Sequence, residues 1–363
     1  MLIIEQYSTA TETKIKKKEM FTPVHTTIGA LLLHQATSNL LLGNGKILGA
    51  SGLIRNGLLH GSVDHVVVLA GIITGTVIAQ WHAPASLLPE YDQFDRSPIS
   101  IVATVATGAI IGLGTNRCNG CTSGHMLCGL SRFSGRSAIA TAIFFTTALI
   151  TANFFVLDNV GPCVASDAHG DDQDVACYLP EYPTMPEFRF MITVLVVSTS
   201  VMILLSQSSS LSRFSIKNQW LGQTLVGFMS GMQFGLGLII SGMAKPDKVI
   251  RFFSWLDWRK LDPSLALIIV FGIGTNIYVN HHFRGPWIWT NANKKPTFAS
   301  HFQLPSLSVH DIGITFISGA VLFGIGWGLT GTCPGPGIIR SVFQPWWGVV
   351  WLFGFLAGSS LPV

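Results

Sequence analysis

Apolar stretches recur along nearly the whole chain and are separated by short polar segments. They lie at residues 24–42, 64–82, 98–115, 138–157, 190–207, 219–241, 264–279, 312–329 and 346–361. Each stretch approaches the roughly 17–25 residues that a helix needs to cross a bilayer. The strict alternation of a membrane β-strand is absent. The pattern predicts an all-α polytopic membrane protein with about nine transmembrane helices and short re-entrant helices.

Composition supports a membrane location and argues against nucleic-acid binding. Hydrophobic residues make up 48% of the chain and charged residues 11%, whereas about a quarter of a soluble domain is charged. The net charge of +4 is too small to indicate a nucleic-acid partner. The lipid bilayer is therefore the predicted surrounding, with the plasma membrane favoured, and residues 1–23 are predicted to form a polar tail.

One connecting segment, the acidic loop at 158–189, differs in charge from the others. Residues 158–188 contain seven acidic residues and no Lys or Arg, so we expect the loop to lie outside the cell. The other loops barely determine the orientation, because their Lys and Arg residues are almost evenly divided between the two sides. Cys163 and Cys177 lie in this loop and can form a disulfide in an oxidising compartment. The alternative is two free, exposed thiols.

Two sequence patterns occur twice and predict an internal duplication. "GKILGASG" at 45–52 resembles "GLGLIISG" at 235–242. "IGLGTNRCNGCTSG" resembles "FGIGWGLTGTCPGP" when Cys121 is aligned with Cys333. Each half would contain four spans, and one further span between them would invert the second half relative to the first. Inverted repeats of this kind are common in secondary transporters.

The duplication divides the chain into segments. The predicted units are a first repeat at 24–157, a linking span and loop at 190–218, and a second repeat at 219–363 that contains a polar insert at 281–308. Ser51 and Ser241 are the penultimate residues of the two related octapeptides, and we expect them to end paired helices near the transport pathway. A role in helix packing is an equally open interpretation for both.

Both cysteine patterns follow a glycine-rich apolar stretch with residues that interrupt helices. "NGCTSGH" and "GTCPGPG" contain Gly and Pro, which are poor in helix interiors. Broken backbone at membrane depth is tolerated where it is buried in protein or lines a cavity. Thr122 and Ser123 are residue types that cap a new helix, and Pro334 or Pro336 suits its first turn. Free N–H groups at such a helix start attract anions.

A thiol at such a site favours a particular kind of anion. Sulfur is polarizable, and S–H is only a weak donor, so a thiol suits a ligand with a soft sulfur atom. An anion with one soft sulfur and several oxygens, such as thiosulfate, would match thiols combined with N–H groups. The candidate pathway residues are Cys121, Cys333, Gly120, Thr122, Ser123, His125, Thr332, Ser51, Ser241, Cys118 and Cys128.

Other interpretations of the same residues remain open at the level of sequence. Cys118, Cys121, His125 and Cys128 could ligate zinc, although paired ligands are usually separated by a longer loop. A membrane-embedded sulfurtransferase could form a persulfide on Cys121. Cys118 and Cys128 could serve only in packing, and His125 could simply bond a carbonyl. No Ser-His-Asp or paired-carboxylate arrangement indicates an enzyme, and we predict no metal and no cofactor.

The motifs resemble those of the YeeE/YedE family of sulphur-transport membrane proteins. The resemblance rests on "NGCTSGHMLCGLSRFSGRS", "GTCPGPG", "LGASGLI" and "SGMAKPDKVIRFF". It implies thiosulfate uptake in which pore cysteines, here Cys121 and Cys333, contact the ion in turn. A small sulfur-carrier protein is the implied partner of many members. Some members carry a further cysteine near "LGASG", where this chain has Ala50 and Ser51.

Overall fold

The computed structural model describes residues 20–166, 172–207, 219–280 and 295–362. The predicted polar tail up to residue 19, part of the linking segment at 208–218 and part of the polar insert at 281–294 lie outside the described residues. Asp167 and Asp171 of the acidic loop also lie outside them.

The described chain is helical apart from one two-stranded hairpin. Its helices are α1 (Pro23–Asn44), α2 (Ala50–Ile54), α3 (Val63–His82), α4 (Pro98–Arg117), α5 (Gly135–Phe155), α6 (Met185–Gln207), α7 (Gln219–Ile240), α8 (Pro246–Phe252), α9 (Pro263–Tyr278), α10 (Ile314–Thr330), α11 (Pro334–Phe343) and α12 (Pro345–Ser360). A π-helical turn, Arg55–Leu59, extends α2, and another, Ser123–Gly129, follows α4. The strands are β1 (Cys163–Ser166) and β2 (Asp172–Val175), which pair antiparallel.

Six of the described helices are long and apolar enough to cross a membrane. They comprise α3 to α7 and the apolar segment Ile314–Phe343, which includes α10 and α11. The prediction of an all-helical, multi-pass membrane protein is therefore confirmed. The other three predicted stretches also form helices. α1 and α12 have 22 and 16 residues, and the short α9 combines 3-10, α and π turns. Nine crossings remain a prediction.

The long helices pack as two groups. In the first group α7 packs against α1 and α3, and α1 also contacts α9. In the second group α4 packs against α10 and α12, and α10 also contacts α5. In each group, one helix of the first predicted repeat packs against one helix of the second. These pairs are α1 with α7 in the first group and α4 with α10 in the second. The duplication itself stays a prediction, and the inversion of the halves is taken up below as a proposal.

Glycines bring the helix backbones into direct contact within these groups. A Cβ on Gly231 would lie 2.1 Å from the carbonyl oxygen of Val68, and one on Gly112 would lie 2.1 Å from that of Phe355. Such contacts exclude any side chain, as expected at interfaces of membrane helices. The high glycine content therefore has a packing function in both groups.

The hairpin lies at one face of the molecule, called here the hairpin face. Cys163 and Cys177 form a disulfide beside it. The N–H of Phe21 donates to the carbonyl of Cys177 (2.9 Å), and the N–H of Cys177 donates to the carbonyl of Arg259 (2.8 Å). The start of α1, the acidic loop and the connection from α8 to α9 therefore share this face.

One acidic residue counted in the loop has a different environment from the one expected. Glu187 belongs to α6 and is buried, and it accepts hydrogen bonds from the N–H (2.6 Å) and hydroxyl (2.8 Å) of Thr184. It also receives a hydrogen bond from Ser86. The acidic loop thus ends before residue 189, because residues 185–189 are the first turns of a helix.

The structure corrects the expected equivalence of Ser51 and Ser241. Ser51 lies in the first turn of α2, whereas Ser241 directly follows the last residue of α7. The matching octapeptides therefore occupy different parts of their elements, so Ser51 does not end a helix. The better-matched pair is Gly45 and Gly242, which follow α1 and α7 with φ values of 71° and 79°.

Candidate functional site

Two interrupted segments lie between the two helix groups. The first cysteine segment, residues 118–132, follows α4 and contacts α1, α5 and α9. The second cysteine segment, residues 331–343, follows α10 and contacts α2, α3, α7 and α12. Each segment thus touches helices of both groups.

The two segments begin with the same backbone kink. Asn119 has a φ of 58° and Gly331 a φ of 60°, both in the left-handed region. Each lies two residues before a cysteine, Cys121 in one case and Cys333 in the other. A left-handed residue ends the preceding helix and redirects the chain. Aligning the two cysteines therefore also aligns the two kinks.

The segments approach each other from opposite ends of α4 and α12. Gln344, at the end of the second segment, donates through Nε2 to the carbonyl of Asp92 (2.5 Å), near the start of α4. Asn116, just before the first segment, donates through Nδ2 to the carbonyl of Ser359 (2.9 Å), near the end of α12. The first segment therefore starts at one end of this helix pair, and the second finishes at the other.

The segments meet at a contact between a hydroxyl and a thiol. The Oγ1 of Thr122 donates to the Sγ of Cys333 over 3.3 Å. Both side chains are buried, and 211 residues separate them in the sequence. Thr122 precedes the π-helical turn but caps no N–H of it. The expected capping role of its hydroxyl is therefore wrong, because that hydroxyl is directed across the interface.

Each of the two central thiols lies beside the start of a helix. The N–H of Ser51, in the first turn of α2, donates to the Sγ of Cys121 (3.4 Å). Cys333 directly precedes α11, and its side chain caps no N–H of that helix. Gly335 carries the one N–H among residues 334–336, because both of its neighbours are proline.

Ser123 connects the first cysteine segment to α2. Its Oγ accepts a hydrogen bond from the N–H of Ala50 (2.9 Å) and lies 3.3 Å from the Sγ of Cys121. The sequence predicts that Ser123 caps its own helix, and that prediction is wrong. Ser123 satisfies a free N–H of a different helix, which positions α2 against Cys121.

The remaining thiols and the histidine of the first segment point to separate partners. The Sγ of Cys118 donates to the carbonyl of Gly120 (3.1 Å), and that of Cys128 lies 3.6 Å from the carbonyl of Leu48. The Nε2 of His125 donates to the carbonyl of Cys118 (3.1 Å), so its Nδ1 accepts from the hydroxyl of Ser137 (3.1 Å). In the described part of the chain, no group of three or more His, Cys, Asp or Glu side chains could hold a metal ion.

Three other predicted pathway residues have partners outside the central contact. Thr332 is buried, and its Oγ1 donates to the carbonyl of Thr330 (3.1 Å). The carbonyl of Ser241 accepts from Thr26 (3.2 Å), and its hydroxyl donates to the carbonyl of Leu238 (3.3 Å). Ser241 thus joins α7 to α1. Gly120 is close to the imidazole of His125, where a Cβ would lie 2.7 Å from Nε2.

A buried asparagine that the sequence reasoning missed holds the first segment in place. Asn276 in α9 donates through Nδ2 to the carbonyl of Leu127 (3.3 Å) and to the Oγ1 of Thr37 (3.0 Å). Its Oδ1 accepts from the hydroxyl of Ser38 (2.7 Å) and from the Nδ1 of His34 (2.7 Å). The sequence does contain a signal for this role, because Asn276 is the one Asn in the apolar stretch 264–279. A polar side chain inside a membrane span costs free energy unless it has a partner, so it marks a buried polar contact.

A cavity of about 50 Å³ adjoins the central contact. Thr122, Ser123 and Cys333 form one wall, and apolar side chains form the rest. Cys121 is not among the residues that line it. The two central cysteines therefore have different surroundings, although they belong to adjoining segments.

Two family models match separate parts of the chain. A model of a family described as "Sulphur transport" matches residues 7–150. A model described as "Family of unknown function (DUF6691)" matches residues 223–358. The chain is therefore similar to a sulphur-transport family over its first part and to an uncharacterised family over its second.

Individual relatives are described as transporters. A "Probable transporter" of Xylella fastidiosa (strain 9a5c) is 36% identical over 133 residues, which are 35% of this chain and 90% of the relative. One from strain Temecula1 / ATCC 700964 is 36% identical over 137 residues, with the same coverage. A further relative from strain 9a5c is 38% identical over 113 residues, which are 31% of this chain and 70% of the relative.

The apolar helices and these relatives define a multi-pass integral membrane transporter. The transporter relatives point to transport rather than catalysis. The chain belongs to the YeeE/YedE family of sulphur-transport membrane proteins.

Proposed function

We propose that this protein is a plasma-membrane permease that conducts thiosulfate, or a closely related sulfur-containing anion, into the cell past Cys121 and Cys333. The observation that carries the proposal is the 3.3 Å contact between Thr122 and Cys333. It joins two kinked segments that approach from opposite ends of α4 and α12. In the proposal these segments are re-entrant, the two repeats are inverted, and the chain crosses the membrane nine times.

The chemistry of the central residues supports an anion that contains sulfur. The N–H of Ser51 already donates to the thiol of Cys121, and Gly335 carries an N–H in the first turn of α11, just after Cys333. In the proposed pathway these groups and the hydroxyl of Thr122 bond the oxygens of the ion, while the thiols contact its terminal sulfur. Thiols make weak hydrogen bonds, and weak contacts at several sites allow an ion to leave after it has entered. The family resemblance adds a small sulfur-carrier protein as a partner.

Uptake of radiolabelled thiosulfate into proteoliposomes tests the proposal. We expect saturable uptake by the unchanged protein and its loss in Cys121→Ala and in Cys333→Ala. Cys128→Ala is the matched control, because Cys128 is also buried but its sulfur faces Leu48. Uptake that survives both central substitutions would contradict the thiol pathway. Sulfur retained covalently on Cys121 without uptake would favour a sulfurtransferase instead.

A further inference from the structure

The cavity beside the central contact has the wrong chemistry for an anion. Its lining contains no Lys, Arg, His, Asp or Glu side chain. Its polar side chains belong to Thr122, Ser123 and Cys333, and these already bond one another or the backbone of α2. Because a charge without a partner is strongly disfavoured in apolar surroundings, the cavity suits an apolar ligand.

The apolar wall of the cavity belongs to helices at membrane depth. Phe145 of α5, Ile269 of α9 and Trp327 of α10 all line it. Met126 and Met243 add flexible thioether side chains, which adapt to ligands of irregular shape. The cavity therefore combines a rigid aromatic part with an adaptable part.

The cavity is continuous with the surface of α9 that faces the bilayer. Ile269 lines the cavity and is 47% exposed, and the adjacent Val270 is 58% exposed. Both belong to the short apolar helix α9, and exposed apolar side chains on a membrane protein are expected to contact lipid. Ile269 thus lies where the bilayer surface meets the cavity.

We propose that a lipid acyl chain enters this cavity beside Ile269 and ends near Trp327 and Cys333. An apolar cavity of this kind does not retain ordered water. Methylene groups would supply the van der Waals contacts that the lining otherwise lacks. The acyl chain would then shield one side of the Thr122–Cys333 contact from water. This inference goes beyond the proposed transport function and does not depend on which anion is carried.

Fluorescence quenching by brominated lipid tests the occupancy. The protein is reconstituted into vesicles of dioleoylphosphatidylcholine or of the same lipid with dibrominated acyl chains. The signal of Trp327 is the difference between the unchanged protein and Trp327→Phe. We expect this signal to fall several-fold in the brominated vesicles, because bromine would lie against the indole ring.

A matched pair of substitutions tests the route of entry. Ile269→Phe enlarges a residue that lines the cavity, whereas Val270→Phe makes a comparable change on the lipid-facing surface outside the lining. We expect Ile269→Phe to restore most of the Trp327 signal in brominated vesicles and Val270→Phe to leave it quenched. Each variant is compared with its own Trp327→Phe derivative.

A second measurement keeps the inference testable if Trp327→Phe does not fold. Labelling of Cys333 is followed by mass spectrometry with N-dodecylmaleimide, which partitions into the bilayer, and with a charged methanethiosulfonate. We expect the dodecyl reagent to react faster and Ile269→Phe to slow it several-fold. An unquenched Trp327 signal, or faster labelling by the charged reagent, would overturn the inference and indicate a water-filled vestibule. Neither the quenching nor the labelling measures transport. A failure of the acyl-chain proposal can therefore be distinguished from a failure of the uptake test.

Discussion

The two cysteine segments present a buried thiol after the same kink but are held in different ways. The first segment forms a π-helical turn and a 3-10 turn, and polar side chains fix it. The second forms the regular helix α11, with Pro334 in its first turn. Close backbone packing fixes the second segment, since a Cβ on Gly331 would lie 2.4 Å from the carbonyl oxygen of Pro246.

This difference indicates which segment is adjustable. The hydrogen bonds that His125, Ser123 and Asn276 make through their side chains can re-form after a small displacement of the first segment. The second segment has no such freedom at Gly331 or Gly337, where a Cβ would overlap Pro246 or Trp351. We therefore expect substitutions in the second segment to affect folding most, and those in the first to affect position and transport.

The largest expected effect is that of Gly331→Ala. The left-handed conformation costs a non-glycine residue roughly 1–2 kcal/mol, and overpacking against Pro246 costs about 1–3 kcal/mol more. We expect a clearly lower Tm of the detergent-purified protein. Asn119→Ala is the control, because Asn119 already has a Cβ at a similar φ. Equal losses of Tm in the two variants would contradict the proposed difference between the segments.

A smaller loss of stability is expected for His125→Ala. The change removes the donor to the Cys118 carbonyl and the acceptor of the Ser137 hydroxyl. Buried groups left without partners cost about 1–3 kcal/mol each, although a water molecule in the vacated space would reduce that loss. His301→Ala, at an exposed position, should leave the Tm unchanged. A Tm of His125→Ala equal to that of the unchanged protein would show that these bonds do not hold the segment.

Thr122→Val is expected to change transport more than stability. The substitution keeps the size of the side chain and removes the hydroxyl that bonds Cys333. A hydrogen bond contributes about 0.5–1.5 kcal/mol, which corresponds to a roughly 2- to 10-fold lower uptake rate. Thr332→Val serves as the control, because the Thr332 hydroxyl bonds the nearby Thr330 carbonyl. Equal uptake rates in the two variants would contradict a role of the Thr122 hydroxyl in transport.

The smallest effect is expected for Cys128→Ser. A serine hydroxyl can still donate to the Leu48 carbonyl, so the free energy of unfolding should change by less than about 1 kcal/mol. Uptake should remain near that of the unchanged protein, whereas Cys121→Ser should lose most of it because oxygen is not a soft ligand. A comparable loss of uptake in both variants would place Cys128 in the pathway as well.

The sequence alone determined where the chain is helical within the membrane and where it breaks. Stretches such as 64–82 and 219–241 are predominantly apolar, and in a bilayer each must satisfy its own backbone hydrogen bonds as helix. Gly and Pro around Cys121 and Cys333 interrupt that pattern locally. Aligning Cys121 with Cys333 also places Asn119 opposite Gly331, and both residue types tolerate the left-handed conformation that each adopts.

The tertiary structure decided which polar groups meet. Thr122 bonds Cys333 across 211 residues of sequence, and Asn276 bonds the Leu127 carbonyl across 149. Local sequence predicts that Thr122 and Ser123 cap their own helix, yet both bond other segments. Ser51 and Ser241 share a sequence pattern but occupy different parts of their helices. The physical reason is that a buried hydroxyl or amide must find a partner, and packing of distant helices determines which partner lies within reach.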